Sequence, residues 1–247
     1  MDAERTYSVL GVVPARLAST RLPEKMLADV AGKPLIVRTA IAAAESGAFD
    51  RVIVATDSER IVAAVTAAGF EARMTDPSLP SGTARTAVIS EDIQYDVYVN
   101  VQGDEPLIDA EGLKRLTACF ADPAVEMATL WYPLADADRD NPNAVKVVAD
   151  ALGNAMFFSR SLIPYPRNGE GFAPRKHIGV YGYRRDTLRR LVSLPPCDLE
   201  RIESLEQLRA LYHGVHIRLV AASRETLGVD TGADLERVRA VFKGRLR

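Results

Sequence analysis

The sequence predicts an α/β protein in which a mostly parallel sheet carries helices on both faces. Three observations point there. In the first half, short β-branched runs alternate with segments whose apolar residues recur at helical spacing. Those runs are apolar throughout, as strands buried on both faces are. The chain has 247 residues, 47% of them hydrophobic, which is enough for a sizeable core within one domain.

Val9 to Val13 reads as the first buried strand. Gly32-Lys33-Pro34 marks a turn, and Pro34 suits a helix start. A helix over Leu35 to Ser46 follows, stopped by Gly47. Arg51 to Thr56 is a second strand, and Asp57 or Ser58 can cap a helix over Glu59 to Ala68. Phe70 to Met74 is a third strand. Pro77 and Pro80 keep the next segment irregular, and a weakly helical run then reaches Glu91. Asp96 to Val101 is the fourth strand, and Asp109 caps a helix through Phe120.

The second half changes rhythm. Strands are expected at Met127 to Leu134, Ile178 to Tyr183 and Val215 to Val220, with a hairpin of Ala144 to Val148 and Ala155 to Phe158. Helices are expected over Asp186 to Val192, Arg201 to Tyr212 and Asp234 to Phe242. No stretch has linker composition, so the reading is a single domain over 1–247. A strand-rich part at roughly 127–185 shapes the second substrate site and a subunit contact.

Composition excludes several classes. A net charge of −2 gives no electrostatic footprint for nucleic acid. Cys119 and Cys197 have neither metal spacing nor the pattern of a disulfide framework, so both read as reduced thiols of a cytoplasmic protein. The polar start MDAERTYS does not read as a signal peptide. No apolar run approaches the roughly 20 residues of a membrane span.

The first strand leads into Val12 to Lys25, VVPARLASTRLPEK, where Arg16, Arg21 and Lys25 stand among Ser19 and Thr20. Fixed cations and hydroxyls just past the carboxyl end of a strand suit a polyphosphate. By charge alone the segment is equally a solvated basic loop. It has neither the G-x-x-x-x-G-K-[ST] nor the G-x-G-x-x-G spacing. The order P-A-R-x-x-S-x-R-L-P-x-K resembles the nucleotide-binding signature of the sugar nucleotidyltransferases, and PAR-L-AST-RLP is similar to the branch of 3-deoxy-manno-octulosonate (KDO) cytidylyltransferases. NPNAVKVV and DLERVRA are further family-like stretches, so the resemblance spans Val12 to Arg239.

That resemblance implies a Rossmann-like sheet of the nucleotide-diphospho-sugar transferase type. It also implies a homodimer that activates KDO with CTP for lipopolysaccharide biosynthesis. Pro14, Ala15, Arg16, Arg21 and Lys25 are then nucleotide-binding, with Arg16 and Lys25 stabilising the leaving pyrophosphate. Asp104 in V-Q-G-D-E-P and Asp230 in G-V-D-T are implied to hold Mg²⁺; each aspartate alone is an ordinary turn or cap residue. Ser81-Gly82-Thr83 reads alone as a helix N-cap, and the resemblance assigns it, with Arg85, to the cytidine site. The family reads S-G-T-[DE]-R, whereas this chain has Ala84.

Gln102, Arg160, His177, Tyr181, Glu206 and Gln207 are implied to contact the sugar acid. One cation for a carboxylate plus several hydrogen-bonding groups for hydroxyls is the chemistry such a ligand needs. Helical spacing is expected to place Glu203 with Glu206 or Gln207 on one face. Alternatives left open are an amino-KDO, a sialic-acid-like sugar, or a nucleotide-binding homologue that has lost catalysis.

Overall fold

The computed structural model describes residues 5–19, 22–168 and 173–245. Strand β1 (Val9–Ala15) is followed by the two-residue strands β2 (Asp29–Val30) and β3 (Lys33–Pro34) and helix α1 (Leu35–Glu45). Next come β4 (Arg51–Thr56), α2 (Glu59–Ala67), β5 (Glu71–Met74), α3 (Gly82–Asp92), β6 (Val97–Asn100) and α4 (Ala110–Ala118). Four strands then come in succession: β7 (Met127–Pro133), β8 (Lys146–Ala149), β9 (Ala155–Ser159) and β10 (Arg175–Arg184). The remaining elements are α5 (Arg185–Ser193), α6 (Asp198–Glu203), α7 (Gln207–Tyr212), β11 (Ile217–Ala221) and α8 (Gly232–Arg245).

The main sheet has the order β11-β7-β10-β6-β1-β4-β5. β5, β4, β1 and β6 are parallel, β10 opposes both β6 and β7, and β11 is parallel to β7. Apart from β10, every strand in that order therefore ends at the same edge, and β10 begins there. β8 and β9 form the expected hairpin, and β8 pairs with the start of β10.

β1 shows why these runs become strands. Val9 and Val13 face a core shared with α1, α2 and α4, while Leu10 and Val12 face one shared with α3, α5 and α7. Alternate residues thus enter opposite cores, and none reaches water.

Three local expectations are corrected. The helix expected over Arg201 to Tyr212 is two short helices, because Ser204 takes a left-handed conformation (φ 51) between α6 and α7. Arg160 donates to the Glu203 and Ser204 carbonyls at 2.7 and 3.3 Å, claiming acceptors that a continuous helix would use. Glu203 and Glu206 therefore do not share a helix face. The second correction concerns Asp57. Ser58 occupies the N-cap position of α2 without a side-chain bond, while the Asp57 carboxylate is committed to Arg85 and the Leu17 N–H. Third, Asp109 stands at the N-cap of α4, but its side chain makes no cap bond there and instead accepts from Ser223 N and Oγ.

Candidate functional site

Two cavities lie where the strands end. The smaller, about 210 Å³, is lined by Pro14, Ala15, Arg16, Lys25, Gly82, Arg85 and Gln102 among others. The larger, about 450 Å³, is lined by all six residues of the expected sugar set. Gln102 lines both, so the cavities adjoin.

β1 delivers Pro14 and Ala15 to the smaller cavity, and α3 meets them through Gly82. A Cβ at Gly82 would sit 2.9 Å from Pro14 Cγ and 3.1 Å from Asn100 Nδ2, so only glycine allows this approach. Ser81 caps α3, accepting from Ala84 N at 3.2 Å. Arg16 donates to the Leu79 carbonyl. Arg85 is fully buried and donates to Asp57 at 2.9 Å and to Thr75, so it ties the end of β4 to the loop before α3. Burial pushes its pKa down. Thr20 and Arg21 lie outside the described residues.

Lys25 is turned inward behind Glu24, which adopts a left-handed backbone (φ 51). Its ammonium is 2.5 Å from Asp104 Oδ2, 2.7 Å from the Val229 carbonyl and 3.5 Å from Asp230 Oδ1. Two aspartates from loops more than a hundred residues apart in sequence thus present oxygens to one cation. Hard carboxylate donors at a common point fit Mg²⁺, which binds through one or two carboxylates plus phosphate oxygens and water. Among the described residues, no group of three or more His, Cys, Asp or Glu forms a closed metal cage. Neighbouring Glu105 has a buried carboxylate oxygen without a hydrogen-bond partner. Burial pushes its pKa up to about 8, and Asp104 and Asp230 add to the shift.

The larger cavity combines strand, helix and turn residues. β10 bulges between Ile178 and Tyr181, and Gln102 donates to the Gly179 carbonyl there at 3.2 Å. His177 Nε2 is 3.0 Å from Thr129 Oγ1, whose proton is committed to the Val180 carbonyl at 2.8 Å. His177 is therefore the donor, with the proton on Nε2 and Nδ1 left as an acceptor. Burial pushes its pKa down to about 3, so the ring is neutral at pH 7. Tyr181 is half-buried beside it with ring centroids 5.3 Å apart, and desolvation raises its pKa well above the ordinary value.

Arg160 is the cation of this cavity. Its Nε, Nη1 and Nη2 donate to the carbonyls of Glu203, Pro142 and Ser204, leaving part of the five-donor fork for a ligand. Glu206 accepts from Ser81 Oγ at 3.0 Å and Thr83 Oγ1 at 2.9 Å. Ser81 and Thr83, expected at the nucleotide, thus direct their hydroxyls toward Glu206.

Sequence reasoning missed the supports. Glu203 accepts from Ser159 Oγ at 2.6 Å and from Arg160 N at 2.9 Å. Lys146 is fully buried and donates to the Arg160 carbonyl at 2.9 Å. Thr129 sets the His177 tautomer, and Asp57 neutralises Arg85. A buried lysine inside an apolar run was the one available signal; the other contacts join residues far apart in sequence.

The chain matches the family model described as cytidylyltransferase over residues 10–217. It is 45% identical to a 3-deoxy-manno-octulosonate cytidylyltransferase of Acidobacterium capsulatum, covering 97% of this chain and 98% of the relative. It is 50% identical to the enzyme of that name from Chlorobaculum tepidum, covering 95% and 97%. A solved structure of CMP:2-keto-3-deoxy-manno-octonic acid synthetase complexed with CTP aligns with a TM-score of 0.93 at 42% identity, covering 96% of this chain and 99% of the other. With this coverage and the adjoining cavities at the sheet edge, the chain belongs to the cytidylyltransferase family.

Proposed function

We propose that this chain transfers the cytidylyl group of CTP to the anomeric hydroxyl of 3-deoxy-manno-octulosonate and releases pyrophosphate. The observation that carries the reading is the pair of cavities meeting at Gln102, one with Arg16 and Lys25, the other with Arg160 among the hydrogen-bonding groups of His177, Tyr181, Glu206 and Gln207. The names of the relatives and the CTP complex of the structural neighbour support the same substrates.

In this reading Arg16 and Lys25 bind the triphosphate, and the part of the Arg160 fork not given to carbonyls binds the sugar carboxylate. His177, Tyr181, Glu206 and Gln207 read the hydroxyls. The hydroxyl oxygen forms a new bond to the α-phosphorus and loses its proton to water, as the bond to the bridging oxygen breaks and pyrophosphate leaves with that electron pair. The chain's contribution is orientation and charge placement. His177 is a poor proton acceptor, because burial disfavours its charged form. Asp104 and Asp230 are the residues that would hold Mg²⁺, which when bound supplies charge neutralisation at the phosphates.

A homodimer belongs to the proposal. It is supported by exposed apolar side chains in the strand-rich stretch, Met156 at 63% and Tyr165 at 84%. We place the reaction in the cytoplasm, on the two free cysteines. Among the described residues no helix is long and apolar enough to cross a membrane.

Pyrophosphate release from CTP tests the reading with KDO, an 8-amino analogue and a sialic acid as acceptors. Turnover with KDO is expected to exceed that with the other two. Equal or better turnover with either rival acceptor, or none with KDO, refutes the substrate assignment.

A further inference from the structure

Glu206 lines the larger cavity, and its contacts give it a second task. Its two carboxylate oxygens are taken by the two hydroxyls that flank Gly82, Ser81 Oγ at 3.0 Å and Thr83 Oγ1 at 2.9 Å. Gly82 lines the smaller cavity, and Thr83 lines the larger. The first turn of α3 has no acidic residue of its own, so the Ser-Gly-Thr turn has Glu206 as its carboxylate partner. Thr83 is buried, and its hydroxyl also lies 3.4 Å from Tyr183 OH.

Glu206 is itself held from the sugar side. It follows the left-handed Ser204, and that turn is pinned by the Arg160 guanidinium through the Glu203 and Ser204 carbonyls. A continuous set of contacts therefore runs from Arg160, through the break between α6 and α7, to Glu206 and on to the turn at Gly82. A charged acceptor gripping two hydroxyls fixes their rotamers and the backbone between them. Each carboxylate oxygen still has a free lone pair for a ligand hydroxyl, so a sugar contact and this grip are compatible.

We propose that Glu206 is a positioning residue for the nucleotide site. The inference rests on the substrate assignment above. The test measures the effect of Glu206 on CTP affinity directly.

The test is calorimetric titration of the folded protein with CTP in excess Mg²⁺ and no sugar acid. A residue that only contacts sugar cannot alter that affinity. Glu206→Ala is expected to weaken CTP binding about tenfold, the scale of hydrogen bonds to a charged group. Glu206→Gln keeps the shape and one acceptor oxygen and is expected to fall between wild type and Glu206→Ala. Thr83→Val approaches from the other end of the bond and is expected to weaken CTP binding on its own. In the Thr83→Val, Ser81→Ala background, Glu206→Ala is expected to add less than twofold, since its partners are already gone.

Binding stoichiometry separates a positioning role from general damage: misfolding lowers the number of sites at unchanged affinity, whereas positioning lowers affinity at an unchanged number. Wild-type CTP affinity in Glu206→Ala and in Thr83→Val overturns the inference, as do fully additive losses. A wild type that does not bind CTP fails the substrate assignment and takes the inference with it; a wild type that binds alongside unaffected variants overturns the inference alone.

Discussion

Lys25→Met should move two affinities in opposite directions. The substitution keeps an unbranched side chain of similar length and removes only the ammonium. In the structure that ammonium sits 2.5 Å from Asp104 Oδ2 and 3.5 Å from Asp230 Oδ1. A metal ion binding between the same carboxylates must first displace it. The Asp104 bond, with that side chain only 25% exposed, belongs to the charge-assisted class; such bonds are worth about 1.5–3 kcal/mol, or tenfold to a hundredfold in affinity. Asp230 is 52% exposed and farther away, so its share is discounted for solvent screening. Divalent-ion affinity in the absence of nucleotide should therefore rise about tenfold in Lys25→Met. CTP affinity should fall by about the same factor, because a phosphate contact is lost. Titration with Mn²⁺ followed by electron paramagnetic resonance reads the first, and calorimetry with CTP the second. Thermal melting establishes that the variant is folded. Unchanged Mn²⁺ affinity would show that the lysine does not compete for the carboxylates, and unchanged CTP affinity would show that it does not serve the triphosphate.

Asp104→Asn and Asp230→Asn should each abolish most turnover, with partial recovery in excess Mg²⁺; normal turnover in EDTA would exclude the two-aspartate metal site. Arg85→Ala should destabilise the fold by about 3–5 kcal/mol, because it leaves the Asp57 carboxylate without its partner at 2.9 Å. At roughly 2–4 °C per kcal/mol for a chain of this size, the melting temperature drops by about 6–20 °C, and a drop under 2 °C would contradict the structural role. His177 gives a pH signature. The unfolded chain takes up a proton near the ordinary value of 6.5, whereas burial keeps the folded ring neutral down to about pH 3. Between those values the unfolded state binds more protons, so this contribution is fully present above pH 6.5 and is lost as pH falls, by at most about 1.4 kcal/mol per unit. Urea midpoints at pH 7 and pH 5 should converge in His177→Gln relative to wild type; an identical pH dependence in both would refute the neutral assignment.

The strands were legible because their signal is local. Arg51 to Thr56 is a run that can only be a buried strand, and the structure agrees at both ends. The six residues expected at a sugar were legible as short motifs, and the fold brings them together on one cavity. What the residues could not reveal is how they are spent. Ser81 and Thr83 carry the same hydroxyls whether they face a nucleotide or Glu206, and only the fold selects Glu206. The break at Ser204 was invisible because no glycine or proline marks it. Its cause is an arginine at position 160, brought near by the β9 strand. Arg85, which the motif assigns to the cytidine site, lines the smaller cavity and, at 0% exposure, also bonds Asp57, a tie between distant residues that the motif does not reveal.

The bond between Lys25 and the Val229 carbonyl joins residues 204 positions apart. Closing a chain segment of that length costs entropy that only a nearly complete sheet can offset. Lys25 and the Val229 loop therefore meet late, after the parallel strands between them are in place. In a refolding experiment, far-ultraviolet dichroism should recover ahead of CTP binding. A newly made chain likewise lacks the contact between Lys25 and Val229 until residue 229 has left the ribosome.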